Sequence, residues 1–163
     1  MDVNAAQEAK QVVADICVGI DRLDFDLIRG RVHDDADIDL GLFFKGTGKE
    51  FVDWEEGADG PRTLERTMHD VGTQTVAVEG DVAHVTSYVV AYHSGPADHP
   101  WCKGFVVFWF HWRDRIERRD GHWALASRRI AFEWGRNETT GEDFPLPEAM
   151  FASRDRGDIH YLV

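Results

Sequence analysis

Two tight turns in the second half of the chain constrain its fold more than any other feature. Gly80-Asp81 separates an alternating run carrying Thr73 to Val78 from a second run, Val82 to His93, and Asp120-Gly121 separates Phe105 to Arg118 from His122 to Trp134. Dipeptides of this kind between alternating segments mark two-residue hairpin loops, because Gly and Asp tolerate the backbone such loops require. The four runs are therefore read as strands of an antiparallel sheet. Phe105, Val106, Val107, Phe108, Trp109 and Phe110 are apolar at both parities, and the run turns polar by Arg113. That strand should be covered on both faces at its start.

Upstream of the strands the period changes. Ala9, Val12, Val13, Ile16, Cys17 and Ile20 recur at helical spacing between Ala5 and about Ile20, which gives one apolar stripe on an amphipathic helix. Asp21 follows its last turn. Asp24 is placed to cap a second short helix through Phe25, Leu27, Ile28 and Val32. The segment Ala36 to Lys45 alternates as a strand would, Gly46, Thr47 and Gly48 end it, and a third helical piece holds Phe51, Val52 and Trp54. After the breakers Gly57, Gly60 and Pro61, a short turn of helix is expected near Thr63 to Met68. Helices first and hairpins afterwards make an α+β fold.

A chain of 163 residues can bury a core as one domain. After Trp134 the composition turns to Gly, Asn, Thr, Glu and Pro, so the domain is placed at residues 1–140, with 141–163 a tail packing on it or on a neighbouring subunit. A net charge of -12 repels phosphate backbones and anionic headgroups, which argues against nucleic acid and membrane as partners. Arg113, Arg115, Arg118 and Arg119 are interleaved with Asp114, Glu117 and Asp120 and read as a solvated strand end. Cys17 and Cys102 form no CxxC pair, and the first residues have no basic stretch followed by an apolar run. Reduced thiols and a cytoplasmic location are expected.

The helix end VGIDRLDFDLIRGRVHDDADI, the segment RTMHDVGTQTV, the strand SYVVAYH and the hairpin DRIERRDGHWALASRRIAFEW together resemble the SnoaL-like branch of the nuclear-transport-factor-2-like superfamily. Hexachlorocyclohexane dehydrochlorinase, scytalone dehydratase and bile acid 7α-dehydratase are enzymes of that kind. The resemblance implies a cone-shaped, curved antiparallel sheet with N-terminal helices enclosing one pocket, the cystatin-like architecture. It also implies that Asp21 supports His69 as the base of an elimination. Those enzymes often carry a Lys or Tyr where this chain has Ile16.

An imidazole whose Nδ1–H donates to a buried carboxylate is held in one tautomer, with Nε2 left as the base. Asp21 and His69 are the catalytic candidates on this ground, against the plainer reading of a hydrogen-bonded histidine at a helix-to-strand junction. The same resemblance points Arg128 into the pocket, on the parity of Ala124, Ala126, Ile130 and Phe132, either to stabilise a departing anion or to pair with an inner carboxylate. Tyr88, Tyr92 and His93 lie on the strand expected to face the cavity, and Tyr92 is the candidate hydroxyl donor. His93, Asp98, His99 and Cys102 lack the paired spacing of metal ligands, and GTGKE at Gly46 is not a phosphate loop, so neither metal nor cofactor is expected.

These readings converge on a cofactor-independent lyase or isomerase acting on a small, mostly apolar, cyclic substrate. The alternatives are a non-catalytic small-molecule-binding protein of the same fold, or an accessory subunit resembling the β subunit of ring-hydroxylating dioxygenases. Trp109 and Trp112 fall on opposite faces of one strand, which points to a homo-oligomer, dimer or trimer.

Overall fold

The structure, a computed structural model, describes residues 2–138, 147 and 152–161. Helix α1 (Val3–Arg22) begins at Asp2, whose carboxylate accepts from the otherwise unpaired amides of Asn4 and Ala5. Its stripe of Ala9, Val12, Val13 and Ile16 is wholly buried. Leu23, at φ 54°, ends the helix, and Asp24 caps helix α2 (Phe25–Arg29) through the Leu27 amide.

Helix α2 stops sooner than its apolar spacing implies. Val32 already belongs to strand β1 (Val32–Asp39), where Val32, Ala36 and Ile38 are buried. The strand thus starts earlier than expected and ends at Asp39, and the amide of Leu40 donates to the carbonyl of Phe44. That turn sends strand β2 (Lys45–Thr47) back antiparallel to β1. Helix α3 (Gly48–Glu56) follows, started by a capping box in which Thr47 and Glu50 satisfy each other's amides. The helical turn expected near Thr63 to Met68 is confined to a 3-10 turn at Pro61–Thr63, and the chain is extended from Arg66 onward.

Four long strands complete the sheet: β3 (Arg66–Glu79), β4 (Val82–Gly95), β5 (Gly104–Arg119) and β6 (His122–Glu138). The order is β2-β1-β6-β5-β4-β3. All neighbours are antiparallel except β1 and β6, which pair in parallel. Strand β6 carries one extra residue at Ala126, between the pairs Ile116↔Leu125 and Arg115↔Ser127, and another at Glu133, between Phe110↔Phe132 and Trp109↔Trp134. Such bulges bend a strand and raise its twist. The α1 stripe shares the main core with Trp112, Ile116 and Leu125 of the sheet, and Leu64, Cys102 and Val106 form a smaller one.

Among the described tail residues, Arg156 and the Tyr161 hydroxyl both reach the Asp24 carboxylate, and Arg22 pairs with Asp158. Those residues therefore lie on the end of α1. The remainder of the expected tail, residues 141–146, 148–151, 162 and 163, lies outside the described residues. No described helix is long and apolar enough to cross a membrane.

Gly48 sets the position of α3. A Cβ there would sit 2.0 Å from the His33 carbonyl oxygen, so the helix start rests directly on β1. Gly48→Ala is expected to destabilise the protein by roughly 1–3 kcal/mol through forced backbone movement, read as a lower urea midpoint. An unchanged midpoint would show that α3 is not seated on β1 in this way.

Candidate active site

The last turn of α1 meets β3 at Asp21. Residues two apart on a strand share a face, so Thr67 and His69 both reach the same carboxylate. Oδ1 accepts from the Thr67 hydroxyl at 2.9 Å and lies 2.8 Å from His69 Nδ1, while Oδ2 accepts from the His69 backbone N–H at 2.8 Å. Burial alone would push this carboxyl up, but the charge on His69 and the hydrogen bonds from its ring, its amide and Thr67 prevail and hold it below its ordinary value. An ionised carboxylate only accepts, so Nδ1 is the protonated ring nitrogen. His69 Nε2 has no hydrogen-bond partner among the described residues.

His69 sits inside strand β3, with its ring stacked on Trp112 at a centroid distance of 6.0 Å. It lines a cavity that opens to solvent and whose walls are mainly aromatic: Phe43, Phe51, Trp54, Trp101 and Phe108 among them. Among the described residues, four ionisable side chains reach that cavity: Glu55, His69, His93 and Arg128.

Arg128 donates to both oxygens of Asp114, at 2.8 and 2.7 Å, and its guanidinium lies 3.8 Å over the Trp112 ring. Burial pushes the Asp114 carboxyl up and the guanidinium pulls it back, and the two-pronged geometry keeps the pair charged. Arg128 therefore lines the pocket and is bound to an inner carboxylate at once. Its face differs from the expected one: past the Ala126 bulge it shares the inner side with Leu125 and Trp123, not with Ala124 and Ala126.

His93 points inward from β4, where burial and the neighbouring charge of His69 push its imidazole down to about 3, so the ring stays neutral. Tyr88 and Tyr92 do not reach the cavity, which corrects the expectation that they contribute hydroxyls to it. The inner face of β4 is Ser87, Val89, Ala91 and His93, while Tyr88 is 52% exposed and Tyr92 stacks on Phe105. The bulky inner rings of β5 leave room only for small neighbours on that face. His99 uses both ring nitrogens, one on the Thr63 hydroxyl of the 3-10 turn and one on the Cys102 amide of its own loop. Both thiols are buried, and burial pushes Cys17 up to about 12 and Cys102 to about 11, so they are unreactive near neutral pH.

Glu55 is the site residue that sequence reasoning missed. It lies one helical turn after Phe51 on α3, is 3% exposed, and makes no hydrogen bond or ion pair among the described residues. The spacing of Phe51 and Glu55 was the available signal, since residues four apart share a helix face. Burial, reinforced by the charge of Asp21 and opposed by Arg128 and Arg154, pushes its carboxyl up to about 8.

A curved α+β sheet whose apolar cavity is faced by a carboxylate-backed histidine defines a small pocket protein of the nuclear-transport-factor-2-like class. The chain belongs to the SnoaL-like family, whose SnoaL-like domain model matches residues 1–129. Among solved structures, it is similar to a type 2 hexachlorocyclohexane dehydrochlorinase, with a TM-score of 0.74 and 18% identity over 89% of this chain and 96% of that one. A Kribbella flavida protein matches with a TM-score of 0.72 and 18% identity, covering 83% of this chain and 96% of its own. A scytalone dehydratase-like protein from Novosphingobium aromaticivorans gives 0.69 and 17% identity over 86% and 91%. At these identities the likeness is one of fold. No curated protein sequence matches the chain.

The raised Glu55 carboxyl has a measurable consequence. Between its ordinary value of 4.5 and about 8, the folded protein holds a proton that the unfolded chain has lost. Stability from this group is thus full below that window, falls as pH rises through it, and levels off above. Glu55→Gln should remove this component, so that the variant gains on the wild type by on the order of a few kcal/mol between pH 5 and pH 8.5 in urea titrations. Parallel pH profiles for the two proteins would show that Glu55 is not held protonated.

Proposed function

We propose that the protein is a cofactor-independent lyase or isomerase, in which His69 Nε2 removes a proton beside a leaving group or carbonyl of a small, mostly apolar, cyclic substrate. One observation carries the reading: Asp21 fixes Nδ1 of His69 while Nε2 is unengaged at the wall of an apolar cavity. The carboxylate orients the ring and stabilises the imidazolium that forms. The Arg128 guanidinium supplies positive potential to the same space for the developing anion, even while bound to Asp114. Aromatic walls exclude water, which strengthens both effects. The fold shared with a dehydrochlorinase and a scytalone dehydratase-like protein supports elimination chemistry. Such a reaction needs no metal or organic cofactor. A cytoplasmic location is part of the same proposal.

A second reading, a binding protein without turnover, is favoured by one feature. Ile16, where elimination enzymes often carry a Lys or Tyr, is packed in the core and offers no polar atom.

A panel of cyclic β-hydroxy ketones, β-hydroxy thioesters and halogenated rings tests the first reading. On whichever compound reacts, His69→Ala is expected to lower kcat about 10²–10⁴-fold with circular dichroism unchanged. Asp21→Asn should lose a large part of the same factor, and the double variant should be little worse than His69→Ala alone, because the two act as a unit. Full activity in His69→Ala would remove the mechanism.

The outer side of the sheet carries Met68, Tyr88 and Trp134 exposed, with Trp109 stacked on Trp134. We propose that copies of the chain cover this apolar face in a dimer or trimer. Sedimentation of a monomer at micromolar concentration would discard that assembly.

A further inference from the structure

We propose that Glu55 is the acid that delivers a proton to the departing group, and that the natural substrate therefore loses water, as a β-hydroxy carbonyl compound does. The proposal rests on His69 being the base.

Glu55 is 97% buried by its 3% exposure, its side chain lines the cavity, and nothing among the described residues hydrogen-bonds it. A buried polar group without a partner costs about 1–3 kcal/mol. Arg128 is committed to Asp114 and Asp21 to Thr67 and His69, while His93 Nδ1 and Trp112 Nε1 on the same wall are themselves without a partner and make no hydrogen bond to Glu55 among the described residues. Its side chain faces the cavity, where a bound ligand can accept or donate to it.

The charges around Glu55 decide its protonation state. Asp21 repels a second negative charge, Arg128 and Arg154 oppose that effect, and His69 and His93 share the cavity. With its carboxyl up at about 8, Glu55 holds its proton at neutral pH and is a donor. Chloride departs as a stable anion and needs no proton. Hydroxide is a poor leaving group and must depart as water, so a neutral acid on the wall matters for dehydration and hardly at all for dehalogenation.

The step balances. His69 Nε2 takes the proton from the carbon next to the carbonyl, and that electron pair becomes the new C=C bond. The C–O bond breaks with its pair on oxygen, which takes the Glu55 proton and leaves as water. Imidazolium and glutamate carboxylate remain, and one proton passed between them through water at the cavity mouth restores both.

The test compares a cyclic β-hydroxy ketone with its β-chloro counterpart in wild type, Glu55→Gln and Glu55→Leu. Glutamine keeps a hydrogen-bond donor but cannot give up a proton. For the hydroxy compound, Glu55→Gln should lower kcat about 10²–10³-fold with KM nearly kept, and Glu55→Leu should lose both. For the chloro compound, the loss in Glu55→Gln should be less than about a tenth as large. Equal losses on the two compounds, or no loss on the hydroxy compound, would overturn the assignment. So would a wild type that eliminates chloride but not water, which would leave the His69 reading standing. A wild type inert on both, or an active His69→Ala, would instead sink the base itself and the Glu55 role with it.

Discussion

The Asp21 carboxylate is the joint on which the pocket hangs. It sits at the end of α1, buried, and takes three donors from two residues of β3. A carboxylate in that position without donors would cost several kcal/mol, whereas hydrogen bonds to a charged group contribute about 1.5–3 kcal/mol each. Arg154, from the far end of the chain, adds hydrogen bonds to the carbonyls of Asp21 and Leu64 and so closes the same corner from outside. The groups that fix the first helix to the sheet are therefore the groups that orient His69, and fold and site cannot be varied independently at this point.

The same carboxylate sets the charge state of the rest of the cavity. Two buried acids, Asp21 and Asp114, face two arginines, Arg128 and Arg154, so the site at rest is close to neutral. A third carboxylate would upset that balance in a low-dielectric space, and Glu55 accordingly keeps its proton. His93 is kept neutral first by its own burial and then by the charge that His69 carries when protonated. When His69 accepts a proton and Glu55 gives one up, one positive and one negative charge appear together inside the same cavity. Such a transfer leaves the net charge of the site unchanged, and low dielectric then favours the attraction between the new charges.

The turn chemistry was the most legible part of the chain. Gly80, Asp120 and Gly121 adopt positive φ at the two loops read from the sequence, and the α1 stripe is buried as its period requires. The boundary of β1 was not legible, because Val32 lies four residues after Ile28 and fits a helical stripe as well as a strand. The bulges at Ala126 and Glu133 have no signal in a period-two pattern, yet they decide which residues accompany Arg128 on the inner face. Tyr88 and Tyr92 were misplaced because both parities of β4 contain apolar residues. What settles the parity is the crowding by Phe108, Phe110 and Trp112 on the adjacent strand, a fact of packing that β4 itself does not carry. The nearness of Asp21 and His69 was legible through resemblance alone, since nothing local links positions 48 apart.

Glu55 also changes what Ile16 means. In the elimination enzymes that the sequence resembles, the polar group on α1 ahead of the aspartate often assists departure, and its replacement by isoleucine reads as a loss. In the structure Ile16 is packed in the core, and Ile20 is the α1 residue that faces the cavity. The first helix thus contributes only apolar surface and the Asp21 carboxylate. On the same cavity, α3 supplies a carboxylic acid, anchored by Phe51 in the core and by the contact of Gly48 with β1. Moving the polar group from α1 to α3 replaces a group on the helix that carries Asp21 with one on a separate element.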